Sequence, residues 1–194
     1  MYWNFRSCII QKKKLQKIKN TTYKFLLFTR RSAEGVFDMF RYVHTNLIAK
    51  DVSKLIDFYK TVLHCRSINE KRDLSGEWID RLTGLNGAHI IGEHLLLPGY
   101  GEDHPTLEIF SYDILKEIVP AEINRPGIAH IAFEVDDVET TLSEIIKAGG
   151  SSVGELVTAE YPNNLEAVFV YARDPEGNIL ELQSWRQIKN KASK

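Results

Sequence analysis

One structural pattern occurs twice in this chain, and this internal repeat constrains the fold more than any other feature. VHTNLIAKDVSKLIDFY at 43–59 aligns with AHIAFEVDDVETTLSEI at 129–145, and PTLEIFSY at 105–112 aligns with NILELQSW at 178–185. Each copy predicts a strand, a helix and then three strands. A small sheet with one apolar face needs a second layer, so two adjacent copies are expected to bury those faces and leave a cleft between them.

Local signals set the boundaries of the two copies. Asp51 is predicted to cap the first helix and Asp136 or Asp137 the second, which ends at a pair of glycines. DPEGN at 174–178 predicts a tight turn between the last two strands. The predicted segments are an N-terminal extension at 1–38, a first module at 39–112, a linker at 113–126, a second module at 127–187 and a C-terminal tail at 188–194.

Residues 1–38 differ from the rest of the chain in charge, since they carry nine Lys or Arg and two Asp or Glu. A targeting segment, a basic arm for nucleic acid or anionic membrane, and an upstream extension are the three interpretations. We favour the extension, with Met39 as the functional start, because a strand pattern begins within a few residues of it. The remainder is acidic, which argues against nucleic acid as the main partner.

Composition also predicts the cellular location of the protein. No apolar run approaches the roughly 18–20 residues that cross a bilayer, so no membrane partner is predicted. The chain has two cysteines, Cys8 and Cys65, with neither a disulfide framework nor a CxxC pair. A reducing, cytoplasmic location is the inference, and Cys65 is expected to be a small buried residue.

Four ionisable residues occupy equivalent places in the two copies. His44 and His130 lie in the first strand of each copy, and Glu108 and Glu181 lie in the last. A carboxylate between apolar neighbours in a strand is costly to bury unless it is paired or bound to a metal. Two histidines and two glutamates suit one divalent ion such as Zn²⁺, Ni²⁺, Co²⁺, Fe²⁺ or Mn²⁺. The competing interpretation is two solvent-facing glutamates and two ordinary histidines.

Other polar residues are given weaker roles. Four histidines have no partner in the repeat and are predicted not to bind metal: His64, His89, His94 and His104. Among them His104 lies close to Glu108 in sequence, so it is the candidate for supporting that residue. The segment at 68–84 holds Lys71, Arg72 and Arg81 beside Trp78, either as a solvated loop or as basic groups for a substrate.

The paired copies, the strand-one histidines, the LEI and LEL strands and the ARDPEGNILELQSW tail together resemble the vicinal oxygen chelate superfamily, over residues 40–186. The resemblance implies an α+β fold of paired βαβββ modules, the glyoxalase/bleomycin resistance-type fold, forming a U-shaped sheet around a metal cleft. It also implies that His44, Glu108, His130 and Glu181 match the four metal ligands of the glyoxalase I and methylmalonyl-CoA epimerase branches.

The activity that this resemblance implies is proton transfer next to a carbonyl through a metal-stabilised enediolate, as in a lactoylglutathione lyase-like enzyme. Glu108 and Glu181 are the candidate catalytic residues, with Glu181 preferred as the base by analogy. The alternatives are a methylmalonyl-CoA epimerase-like enzyme, a dioxygenase of the superfamily, and a non-catalytic ligand-binding or resistance protein. The expected partner is a small molecule, either a thiol adduct or a thioester. The superfamily often dimerises, so a homodimer is a further expectation, with the metal site inside one chain or across two.

Overall fold

The computed structural model describes residues 41–100 and 105–188, and the chain from Tyr42 onward forms one compact unit. The predicted extension at 1–38, nearly all of the predicted tail, Cys8 and His104 lie outside these residues. Within the described part of the chain, no helix has the length and apolar character that spanning a membrane requires.

The two copies of the repeat contain similar elements in the same order. The first comprises β1 (His44–Ile48), α1 (Val52–Thr61), β2 (Arg66–Leu74), α2 (Glu77–Thr83), β3 (Ile90–Leu96) and β4 (Thr106–Tyr112). The second comprises β5 (Ile131–Glu134), α3 (Val138–Lys147), β6 (Ser151–Ser152), β7 (Val157–Tyr161), a 3-10 turn (Pro162–Asn164), β8 (Leu165–Arg173) and β9 (Ile179–Gln187).

Each copy builds its own mixed sheet. The first sheet has the order β1-β4-β3-β2, and the second has the order β5-β9-β8-β6 with β7 also paired to β8. In both sheets the first strand runs parallel to the last, while the other pairs are antiparallel. The predicted α+β class with paired βαβββ modules is therefore confirmed.

The helix caps follow the sequence. The Asp51 carboxylate accepts a hydrogen bond of 3.0 Å from the Lys54 backbone N–H, and Asp137 accepts one of 2.7 Å from Thr140. These bonds satisfy amide groups that lack partners in the first turn of a helix. Hydrogen bonds from the backbone N–H of Thr140 hold the pKa of Asp137 below its ordinary value.

Helix α2 is a finding that the sequence does not predict. It has no side-chain cap and begins after Gly76. Its one buried residue, Ile79, packs in a small cluster with Ile90 and Phe110. A helix of seven residues with a single buried position has no readable apolar period, because that period needs two turns or more to appear.

The apolar faces of both sheets and the two longer helices share one core. Leu107 and Ile109 of β4, and Leu180 and Leu182 of β9, are at most 1% exposed and belong to the same cluster. Because successive side chains in a strand alternate between faces, the glutamate between each pair of these residues points away from the core. This alternation sets the direction of Glu108 and Glu181.

A buried polar contact joins α1 to the turn between β8 and β9. The Tyr59 hydroxyl donates to the Asp174 carboxylate at 3.1 Å, and burial raises the pKa of both groups. Asp174 also accepts bonds from the backbone N–H groups of Glu176 and Asn178, which fixes the predicted turn. Cys65 is buried as predicted, and that burial raises the pKa of its thiol to about 12.

Candidate functional site

Glu108 lies in the middle of β4 and is surrounded by hydrogen-bonding side chains. One carboxylate oxygen lies 3.2 Å from His44 Nε2 and accepts a bond of 3.1 Å from the Asn46 amide. The other oxygen lies 2.6 Å from His94 Nε2. With 11% of the side chain exposed, this carboxylate is held from three directions in a nearly closed environment.

Glu181 lies at the equivalent place in β9 but has fewer contacts. His130 Nε2 lies 3.0 Å from its Oε2 atom, and 20% of its side chain is exposed. The other ring nitrogen of His130, Nδ1, is buried without a hydrogen-bond partner among the described residues. The His130 ring also packs against Tyr171, with ring centroids 5.2 Å apart.

The strand register explains why the two sites are related and how they differ. Glu108 faces Asn46 across the β1 pairing and His94 across the β3 pairing. At the matching places, Glu181 faces Ala132 of β5 and Tyr171 of β8. The repeat therefore keeps the histidine and glutamate of each pair and changes the two flanking residues.

His94 is the site residue that the sequence analysis missed. It has no histidine counterpart in the second copy, so the repeat alone predicts no role for it. A signal was available in the antiparallel pairing of β3 with β4, which places His94 directly opposite Glu108. Recognising this contact from the sequence requires the register of β3 against β4. The length of the connecting segment, 97–105, does not determine that register.

The four predicted ligands are thus brought together as two pairs, His44 with Glu108 and His130 with Glu181. Across residues 41–100 and 105–188, no group of three or more His, Cys, Asp or Glu side chains is arranged to hold a metal ion. The chemistry of each pair suits a divalent ion, because imidazole and carboxylate are its usual ligands. Each pair contains two of the four predicted ligands.

The basic group at 68–84 is divided between two elements. Lys71 and Arg72 lie in β2, whereas Trp78 and Arg81 lie in α2. The predicted loop is therefore wrong, because these residues lie in a strand and a helix, but Lys71, Trp78 and Arg81 are exposed to solvent as that interpretation expects.

Comparison with protein families gives a match over most of the described chain. The Glyoxalase/Bleomycin resistance protein/Dioxygenase superfamily matches residues 41–182. Comparison with curated protein sequences gives no match.

Two solved structures share the fold, and a third aligns with a lower TM-score. A glyoxalase family protein from Bacillus cereus is 23% identical, with a TM-score of 0.60, and the match covers 79% of this chain and 98% of that one. A glyoxylase/bleomycin resistance protein/dioxygenase domain from Frankia sp. EAN1pec is 19% identical, with a TM-score of 0.50 and coverages of 75% and 92%. The fosfomycin resistance protein FosX from Listeria monocytogenes, crystallised with Mn(II) and sulfate, is 17% identical, with a TM-score of 0.45 and coverages of 77% and 93%.

Proposed function

Because the chain belongs to the glyoxalase/bleomycin resistance protein/dioxygenase superfamily, we propose that it is a metal-dependent lyase or isomerase that moves a proton next to a carbonyl group. The observation that carries the proposal is the repeated pairing of a histidine with a glutamate, His44 with Glu108 and His130 with Glu181. These four residues would hold one divalent ion. When bound, the ion would supply Lewis-acid stabilisation of the negative charge that develops on the substrate oxygens.

Glu181 is the proposed base that takes the proton from the substrate carbon and returns it. A carboxylate that moves protons must leave its resting contacts. Among the described residues, Glu181 has one such side-chain contact, with His130 at 3.0 Å. Glu108 is held by three side chains and is the more enclosed of the two. We therefore assign Glu108 to anchoring and Glu181 to proton transfer.

Replacement of Glu181 tests this assignment. Glu181→Gln keeps the shape of the side chain but removes its basicity, so turnover is expected to fall by about a hundred- to ten-thousand-fold. The assay compares methylglyoxal–glutathione hemithioacetal with methylmalonyl-CoA as substrates, and metal content is measured on the same samples. Glu108→Gln is the matched variant, and it is expected to lose metal together with activity. Full activity of Glu181→Gln with either substrate would exclude Glu181 as the base.

The complete ligand set is proposed to form between two copies of the chain. The support is that the two pairs do not converge into one group of three or more ligands within the described residues. In such a dimer the His44–Glu108 half of one copy would face the His130–Glu181 half of the other.

Mixing two inactive variants tests the shared site. His44→Ala and His130→Ala each remove one ligand from every site of a homodimer. A mixed dimer would contain one site in which both histidines are intact, so mixing after mild dissociation is expected to restore part of the activity. If the sites lay within single chains, no mixture of these two variants would recover turnover, and sedimentation would separate that result from a failure to dimerise.

A further inference from the structure

A pocket of about 360 Å³ lies where β1 and β4 end and the chain leaves the first module. One wall is formed by the strand ends, including Ile48 and Tyr112, and Leu85 contributes from the loop after α2. The remaining wall is formed by Ile114, Leu115, Lys116 and Ile118, which lie in a segment without regular secondary structure. The lining is apolar except for the Tyr112 ring and two lysines, Lys50 and Lys116.

The pocket is distinct from both His–Glu pairs, with which it shares no residue. Ile48 and Tyr112 each lie four positions beyond His44 and Glu108 in their strands, on the same face. At about 3.3 Å per residue, this places the pocket roughly 13 Å along the sheet from Glu108.

The charged side chains that line the pocket have one sign. Lys50 and Lys116 are its charged lining residues, and no carboxylate from residues 41–100 or 105–188 lines it. Neither lysine forms an ion pair or a side-chain hydrogen bond with any residue in the described part of the chain. An ammonium group beside an apolar wall gains most from an anion that brings its own apolar body.

We propose that this pocket binds a small anionic amphiphile. Its hydrocarbon chain would lie against Ile48, Leu85 and the apolar lining residues of the 114–118 segment, and its anionic group on Lys50 and Lys116. The volume lies at the lower end of the range for small-molecule sites, which suits a short acyl chain better than a protein segment. The proposal is independent of the proton-transfer activity, because binding at this place needs neither the metal nor the His–Glu pairs.

Three probes that share an eight-carbon chain but differ in the charge of the head group test the proposal. The full chain, treated with chelator, is titrated by calorimetry with octanoate, octanol and octyltrimethylammonium below their micellar concentrations. Octanoate is expected to bind saturably, one per chain, about tenfold more tightly than octanol, and the cation is expected to bind more weakly still.

Variants locate the site. The double variant Lys50→Met and Lys116→Met is expected to weaken octanoate binding about tenfold and to leave octanol binding unchanged. Leu85→Asp, at a half-exposed position, is expected to weaken the binding of both. Lys147→Met, an exposed lysine in the last turn of α3, is the control and should bind octanoate as the unchanged chain does.

Three results would overturn the proposal. Octanol binding as tight as that of octanoate would remove the role of the lysines, and octanoate binding that survives all the pocket variants would place the site elsewhere. Absence of octanoate binding, together with self-association that Leu85→Asp abolishes, would identify a second copy of the chain as the occupant.

Discussion

The two halves of the molecule place a glutamate at the same strand position, but they differ in the number of side chains that contact it. In the first half, Glu108 contacts His44, Asn46 and His94. In the second half, Glu181 contacts His130, while the places of Asn46 and His94 are taken by residues that donate nothing to it. Both halves therefore contain one His–Glu contact, but its surroundings differ between them.

Under the proposed function, this inequality would give the two carboxylates different tasks. A ligand that must stay in place benefits from several donors, because each restricts the side chain and offsets the loss of water around its charge. A base must change its contacts during every turnover, so additional donors would hinder it. We therefore propose the fixed role for Glu108 and the mobile role for Glu181.

The largest expected difference in stability is between variants of the two aromatic residues that lie opposite the glutamates, His94 and Tyr171. His94→Phe keeps a ring but removes a donor from the enclosed Glu108 carboxylate, and we expect a loss of about 2 kcal/mol in the free energy of unfolding. Tyr171→Phe is the matched change in the second half and is expected to cost less than about 0.5 kcal/mol. Urea unfolding of both variants measures the difference.

Asn46→Ala provides the control, since it removes a different donor to Glu108 and leaves the rings in place. We expect its cost to be about 1 kcal/mol, intermediate between the other two. Equal losses for His94→Phe and Tyr171→Phe would contradict the claim that Glu108 is the more firmly held carboxylate.

The sequence predicts the repeat, both caps and the four ligand candidates because each depends on spacing within one short segment. Alternation alone places Glu108 between two core residues, and the structure shows those neighbours buried. The contact of His94 depends on strand pairing across the 97–105 connection, and the pocket depends on where residues 114–118 fold back. Those features arise from tertiary contacts that local periodicity does not encode.

Adding a hydrogen-bond donor next to Glu181 tests the same comparison in the second half. Ala132 faces Glu181 as Asn46 faces Glu108, and it is exposed, so Ala132→Asn is expected to fold normally. The new amide should hold Glu181 and slow turnover about fivefold, the effect of roughly 1 kcal/mol of added restraint. Steady-state kinetics with metal content as a control measures it. Unchanged turnover in Ala132→Asn would indicate that Glu181 does not need to move.

The smallest expected effect on stability concerns His89, whose ring links the end of β2 to the segment just after β4. His89 lies between two carboxylates, with Nε2 2.8 Å from Asp73 at the end of β2 and Nδ1 3.0 Å from Asp113 just after β4. A ring that donates through both nitrogens is the protonated imidazolium. The hydrogen bond to Asp73, followed by the one to Asp113, raises the pKa of His89 above its ordinary value.

A raised pKa in the folded state means that the stabilisation is fully present below the ordinary histidine pKa of about 6.5 and is lost as the pH rises through the raised value. His89→Gln is therefore expected to lower the Tm by a small amount at pH 5.5 and by less at pH 9. Asp113→Asn should reproduce this pH dependence, because it removes one of the two acceptors that favour the charged ring. If His89→Gln lowered the Tm equally at both pH values, the interaction would not involve the charged imidazolium. The stability of the first half would then come from the contacts of Glu108 and from its core, without a contribution from a charged His89.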